Sequence, residues 1–406
     1  MKLSTIRAVD FWAGIPLALL ADVPAFFYSL LFPKTRDIKN VLMIELSEAG
    51  SLIIGYSAMK RLKEAAPDAN VYFLIFKRHA DGLRMLNLLD EDKILTVRDD
   101  SFGNFLRDVW EAIKRIWSVR IDTVIDMELF SRASALLTIL TLARNRVGFY
   151  AYTNEGLYRG KFMHNYKVGY NPYKHMSLNF MALVESVLNN ETNSPLLKRR
   201  LSERSVTPFR PEPAKDALKN ATKLMKKAFP DYDAQSHKVT IVNPNAGELP
   251  IRSWELEDFT QTAKRILDDD EKNLVALIGL ESAASDGKYM EKEVKNPRLV
   301  NLIGKTETLQ DVVDLCRLAK VFLTNDSGPA QYASITGTQV VTLFGPETPA
   351  LYGPLGNNVH CLYSGFSCSP CLTAFNHRNS KCKDNLCLKA ITVDKVTNLC
   401  LKLLKE

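Results

Sequence analysis

Thr324-Asn-Asp-Ser-Gly-Pro-Ala-Gln-Tyr-Ala-Ser334 lies between two short apolar runs, residues 321–324 and 340–344. A buried strand that stops at a turn and passes into a helix opening on Asp326, Ser327 and Gly328 is the unit step of a parallel α/β sheet. Unpaired amides at such a helix start, with the helix dipole behind them, favour a bound anion. Outward from this stretch the step recurs. Further strands are expected at residues 239–243 and 274–278, with helices at 255–267, 309–318 and 392–404. An earlier set places strands at 41–46, 71–76, 121–126 and 146–149, and helices at 51–66, 102–117, 131–143 and 176–188. The pattern predicts an α/β protein of two Rossmann-like halves facing a cleft, with ligands beyond the carboxyl ends of the strands. Residues 150–174, rich in Tyr, Asn and Gly, hold no sustained period and read as a long functional loop.

The 406 residues carry 53 Lys+Arg against 46 Asp+Glu, a formal net charge of +7, with 46% hydrophobic and 24% charged side chains. That balance excludes a disordered chain, a collagen and a coiled coil. At roughly 150 residues per domain the length implies two or three domains. The charge surplus is dilute, and no basic run is interleaved with aromatics, which argues against nucleic acid. It suits an anionic membrane surface or phosphorylated ligands.

Residues 11–32 are nearly unbroken hydrophobe of bilayer-spanning length. Asp22 at the centre costs about 2.5–3.5 kcal/mol in hydrocarbon if unpaired. Pro16 and Pro24 are expected to break the run, and basic residues at both ends set no orientation. No small-residue cleavage site follows, against a signal peptide. Residues 1–37 are therefore expected to form a bent hairpin or two short helices lying on the cytoplasmic membrane face. A helical pair packed on the protein's own core is the alternative. Beyond this segment the expected divisions are 38–190, a crossing region 191–237 rich in Pro, Lys and Arg, 238–360, and a closing tail 361–406.

Candidate chemistry gathers at the expected strand ends. After the first strand, Ser47-Glu-Ala-Gly-Ser51 is a small loop entering a helix, suited to close approach of a ligand. Glu48 is its one carboxylate, a candidate general base or an ordinary capping acid. After the strand at 239–243 come Asn245 and then Arg252-Ser-Trp254, where a guanidinium suits a phosphate. Glu281 is placed to accept ribose hydroxyls or to be an exposed loop acid. The segment Asp126-Met-Glu-Leu-Phe-Ser-Arg132 follows a strand in the first half, with Arg132 a candidate for a phosphate or acidic sugar or for a surface ion pair.

Asp326-Ser-Gly-Pro-Ala-Gln-Tyr-Ala followed by Gly337-Thr-Gln-Val-Val-Thr-Leu-Phe-Gly-Pro346 resembles the signature of glycosyltransferase family 9, which contains the ADP-heptose:lipopolysaccharide heptosyltransferases. The strand and loop at 41–51, Asn243-Pro-Asn-Ala with Arg252-Ser-Trp254, and the cysteines at 368, 371, 382 and 387 agree, so the resemblance covers roughly residues 40–400. It implies a GT-B architecture and metal-independent, inverting transfer of a sugar from a nucleotide donor such as ADP-heptose to a lipopolysaccharide or other lipid-linked acceptor. It further implies a donor held by Asn245, Arg252, Asp326, Ser327, Gly328, Pro329 and Gln331, to which the strand-end position of Glu281 adds, and an acceptor near Ser47, Gly50, Ser51 and Arg132. Two departures stand out. Many members carry Gly-Asp where this chain has Gly50-Ser51, leaving Glu48 as the substitute base. Gln331 stands where His is common, so an ionic phosphate contact is lost. A GT-B epimerase or hydrolase on a soluble nucleotide sugar, or a degenerate glycolipid-binding scaffold, are the competing expectations.

Cys368, Cys371, Cys382 and Cys387 fall within 20 residues in the spacing C-x2-C-x10-C-x4-C. That spacing is compatible with a tetrahedral structural zinc, with His377 as an extra ligand. Reduced core thiols are the other reading.

Overall fold

A computed structural model describes residues 3–46, 48–129, 131–150, 158–193, 195–213, 215–247 and 249–406. The chain forms two units, Met1–Thr207 with Thr373–Asn379, and Pro208–Leu372 with Ser380–Glu406. The expected crossing region is thus shared, its first part belonging to one unit and its remainder to the other. Residues 373–379 leave the cysteine-bearing tail to join the first unit.

In the first unit α1 (Leu3–Trp12) and α2 (Gly14–Leu31) precede β1 (Asn40–Ile44), α3 (Ala49–Ala65), β2 (Asn70–Phe76), α4 (Ala80–Met85), β3 (Ile94–Val97) and α5 (Phe102–Ser118). Then come β4 (Thr123–Asp126), α6 (Arg132–Leu140), β5 (Asn145–Tyr150), β6 (Tyr166–Gly169) and α7 (Met176–Leu188). The strands pair in parallel in the order β3-β2-β1-β4-β5-β6. Because alternate side chains point to opposite faces, Leu42 and Ile44 of β1 join Tyr72 and Leu74 of β2 on one face. There they meet Ala112, Ile113 and Ile116 of α5 and Leu137 of α6. Each such Leu or Ile taken wholly out of water contributes about 1.5–3 kcal/mol.

The second unit repeats the plan. It contains α8 (Ala217–Ala228), β7 (Lys238–Asn243), α9 (Leu256–Asp269), β8 (Asn273–Leu277), α10 (Ala284–Val294), β9 (Leu299–Asn301) and α11 (Leu309–Leu318). It continues through β10 (Ala319–Asn325), α12 (Gly328–Ser334), β11 (Gln339–Phe344), α13 (Pro349–Tyr352), β12 (Val359–Tyr363), α14 (Leu386–Lys389) and α15 (Val393–Lys405). Its parallel order is β12-β11-β10-β7-β8-β9. Val242, Leu277, Leu323 and Leu343 face α9 and α15 through Phe259, Ile266, Val396 and Leu403. Ile241, Ala276, Phe322 and Val340 face the other way, onto Met225 of α8 and Leu315 of α11. Thr308 and Asp311 start α11 with a reciprocal capping box.

The N-terminal segment is two helices, but its break falls at Ala13 rather than at either proline. Pro16 lies in the first turn of α2, where its missing N–H has no helical partner to lose. The helix runs on through Pro24. Two acids dock the pair onto the first unit. Asp10 caps α6, accepting from the amides of Arg132 (3.0 Å) and Ala133 (3.1 Å), and pairs with Arg132 Nη1 at 2.9 Å. Asp22 accepts from the amides of Lys161 (2.7 Å) and Phe162 (2.8 Å) and from the Tyr158 hydroxyl. Ala18 and Ala25 are buried against the unit, whereas Trp12, Leu20, Leu30 and Leu31 are exposed.

Candidate functional site

At the carboxyl end of β1 the chain enters α3 with Glu48 in the capping position. Its carboxylate makes no bond to the helix amides, so the ordinary capping role is not what it serves. Instead Arg378 grips it: Nη1 bonds Oε1, and Nη2 lies 3.3 Å from Oε2. Ser51 Oγ also donates to Oε2, at 3.0 Å. Gly50 and Ser51 lie in the first turn of α3, and Ser47 lies outside the described residues. His377 and Arg378 both have positive φ, +54° and +52°. Side chains rarely accept that backbone, and it is held here where Arg378 meets Glu48.

Acids crowd this strand end. Glu45 is buried at the end of β1, and Leu46 N donates to Glu128 Oε1 at 2.8 Å. Burial, and then the charges of Glu128, Glu48 and Asp126, push the Glu45 carboxyl well above the usual range, against the pull of Arg378. Asp126, closing β4, is fully buried and bonds Arg159, His164 Nε2 (3.1 Å) and Ser134 Oγ (3.0 Å). Burial alone would raise its carboxyl, but Arg159, His164 and Ser134 outweigh it and hold it below the ordinary value. Burial pulls His164 below the usual histidine range, against its bond to Asp126.

Arg132 is 3% exposed and paired with Asp10, the ion-pair alternative in buried form, with its Nε unmet among the described residues.

In the second unit Asn325, wholly buried at the end of β10, bolts two loops together. Its Oδ1 accepts from Trp254 N at 2.8 Å, and its Nδ2 donates to Pro244 O at 2.8 Å. Trp254 is itself buried, with Nε1 donating to Ile391 O at 3.0 Å. These bonds place Arg252 over Asp326, with Nη2 2.8 Å from Oδ2. Arg252 Nε is buried and has no hydrogen-bond partner among the described residues. Leaving such a donor unmet costs about 1–3 kcal/mol, and the buried Nε atoms of Arg132 and Arg317 are unmet in the same way. Asn245 Oδ1 accepts from Gly247 N at 2.6 Å, shaping the neighbouring loop.

The helix after β10 offers fewer free amides than expected. α12 has seven residues, Pro329 carries no N–H, and Ala330 N bonds Ser327 O at 3.1 Å. Anion-holding capacity therefore falls on Arg252 more than on the amides of Ser327 and Gly328. Gln331 is buried: its Nε2 donates to Tyr352 O at 2.8 Å, and its Oε1 has no hydrogen-bond partner among the described residues. Glu281 is exposed after β8, and its carboxylate lies over the bare Cα of Gly304 (φ +72°), where a Cβ would stand 1.8 Å from Oε2.

The four cysteines do not form the expected zinc site. Cys387 is packed against Gly345, Cys371 Sγ accepts from Ser380 Oγ at 3.5 Å, and Cys382 Sγ bonds Asp384 O at 3.1 Å. Among the described residues no three Cys, His, Asp or Glu side chains converge as metal ligands. Cys368 and Cys371 lie near enough to Cys387 to help raise its thiol pKa, after burial, yet the thiols do not converge on one point as tetrahedral coordination requires.

Two parallel six-stranded Rossmann-like units in one chain are the GT-B architecture. The chain belongs to glycosyltransferase family 9 (heptosyltransferase), whose family model matches residues 109–381. Lipooligosaccharide heptosyltransferase 2 of Campylobacter jejuni is 24% identical over 170 residues, 42% of this chain and 52% of that protein. The chain thus spans about half the length of the curated relatives it matches. The fold is similar to Escherichia coli ADP-heptose LPS heptosyltransferase II (TM-score 0.67, 17% identity, 90% of this chain and 98% of that one). It is also similar to E. coli heptosyltransferase WaaC with ADP (TM-score 0.62, 13% identity, 90% and 99%).

Proposed function

We propose that the protein is an inverting, metal-independent glycosyltransferase that moves a heptose or related sugar from a nucleoside-diphosphate donor to a lipopolysaccharide or other lipid-linked glycan. The observation that carries this reading is Arg252, fixed by Asp326 at the end of β10 with its Nε unmet. A diphosphate oxygen supplies the missing acceptor and gains a charge-assisted bond. As the bond from the anomeric carbon to the diphosphate breaks, negative charge grows on the departing oxygen, and a preorganised guanidinium stabilises it. Asn245, Glu281, Asp326, Ser327 and Gly328 complete the donor surroundings. In the first unit Glu48 takes the proton of the attacking acceptor hydroxyl. To do so one oxygen must turn from Arg378 toward that hydroxyl. Incubation with ADP-heptose and other nucleotide sugars plus a lipopolysaccharide acceptor, read by mass spectrometry, tests the transfer. Product longer by one sugar is expected; none with any donor refutes it.

The Arg378 clamp favours one second reading, a degenerate glycolipid-binding protein whose Glu48 is structural. Measured transfer excludes it.

The α1–α2 pair supports work at the inner membrane face. α2 is long and apolar enough to cross a bilayer, but only 22% of it is buried in the protein. Asp10 and Asp22 tie the pair down beside Arg132 and residues 158–162, which favours a helix lying in the interface over one that spans it. The exposed apolar face then enters the lipid, with Lys34, Arg36 and Lys39 close in sequence for anionic headgroups.

A further inference from the structure

Beyond the carboxyl end of β6 the first unit holds a cavity of about 830 Å³, within the range of ligand pockets. It is walled by the turn 171–175, the start of α7 and the segment 195–204. Four basic side chains, Lys174, Arg199, Arg200 and Arg204, line it against one acid, Glu203. Arg199 is paired with Glu191. Lys174, Arg200 and Arg204 have no ion-pair partner among the described residues.

The turn is preorganised. Buried Asn179 accepts from Asn171 N at 2.9 Å and donates to Lys174 O at 2.9 Å, while Asn171 Oδ1 accepts from Tyr173 N at 2.9 Å. Held this way, Tyr173 is 89% exposed at the cavity. An aromatic face kept in water by a rigid turn, beside unpaired cations, matches a ligand with an apolar face and a negative charge. A sugar ring offers C–H groups to an aromatic face, and a phosphate or carboxylate on it meets the guanidinium groups.

We infer that this cavity is a binding subsite for an anionic saccharide, stacked on Tyr173 and held by Lys174, Arg200 and Arg204. Its assignment to the acceptor rests on the transferase reading above. All six strands are parallel, so the cavity shares their carboxyl edge with Glu48, and β6 lies three strands from β1, about 14 Å. One acceptor chain can reach both, so the subsite selects acceptors by a charge remote from the reacting hydroxyl.

Saturation-transfer NMR on the full chain with excess ADP, titrating glucose 6-phosphate, glucuronate, glucose and inorganic phosphate, tests this directly. At least one of the two anionic sugars should bind tenfold or more tighter than glucose, and Arg200→Ala with Arg204→Ala should remove that preference. Tyr173→Ala should weaken the sugar-bearing anions but not inorganic phosphate. These side chains are exposed, and thermal melting checks the fold of each variant. Equal binding of glucose and both anionic sugars, or a preference untouched by the double substitution, overturns the subsite. Inorganic phosphate binding as tightly as either sugar anion overturns the saccharide part. Failure of ADP binding or of transfer, with the anion preference intact, counts against the transferase reading alone.

Discussion

Arg378 grips both carboxylate oxygens of Glu48 across 330 residues of chain, from a short segment of the tail that belongs to the N-terminal unit. The candidate base is therefore positioned by a residue that neither local sequence nor strand order announces. Glu48→Gln keeps size and hydrogen bonding but cannot take a proton. Turnover should fall about 10²–10⁴-fold with nucleotide affinity unchanged. Arg378→Ala should also lower kcat, because Glu48 loses the group that positions it. Steady-state kinetics of the two variants checks both outcomes; near-normal turnover of Glu48→Gln dismisses Glu48 as base.

Asp10 and Arg132 form a buried pair that also caps α6. Asp10→Ala leaves the Arg132 charge uncompensated and should cost about 3–5 kcal/mol. Arg132→Met combined with it should cost less than the two single changes added. Urea unfolding of the four proteins in a double-mutant cycle reads the coupling.

Burial of His164 makes stability fall in acid, against the pull of its bond to Asp126. The folded His164 pKa lies below its unfolded value near 6.5, so the unfolded chain binds more protons as pH drops through that value. Its contribution is whole above about pH 6.5 and is lost toward the depressed folded pKa, by at most about 1.4 kcal/mol per pH unit. Asp126, also depressed, adds a loss below its unfolded pKa near 3.9. Chemical denaturation at pH 7.5 and 5 should show a smaller loss for His164→Gln than for the native chain.

The exposed face of α2 should carry membrane affinity. Leu20→Ser, Leu30→Ser and Leu31→Ser together should remove about 3 kcal/mol of partitioning, a hundredfold. Sedimentation with phosphatidylglycerol-containing vesicles measures it. Unchanged binding, or no binding by the native chain, removes the interfacial role.

Alternating buried strands and amphipathic helices were legible because their apolar periods are strong. Helices over 176–188 and 309–318 fall where periodicity puts them. Short edge strands were not: β6 is Tyr-Lys-Val-Gly inside residues read as a loop, and β9 is three residues behind a proline. Lys-rich α8, with Ala221 and Met225 inward, was hidden in the expected crossing region. At the site, Arg252 and Asp326 were legible because each follows a strand end. An acid directly after an otherwise apolar strand is the sequence signal for buried Glu45. Arg378, Glu128 and the burial of Arg132 depend on long-range packing, which no local pattern encodes. The cysteine spacing limits how far the thiols reach but does not set their direction.

Calorimetric titration of the full chain with ADP, GDP, UDP and CDP, beside Arg252→Ala, tests the donor site most directly. Expected is micromolar or tighter binding of at least one nucleoside diphosphate, weakened tenfold or more by the substitution, the loss of about 1.5–3 kcal/mol of charged hydrogen bonding. No binding of any of the four, or binding indifferent to Arg252, would contradict a nucleotide-sugar transferase built on this site.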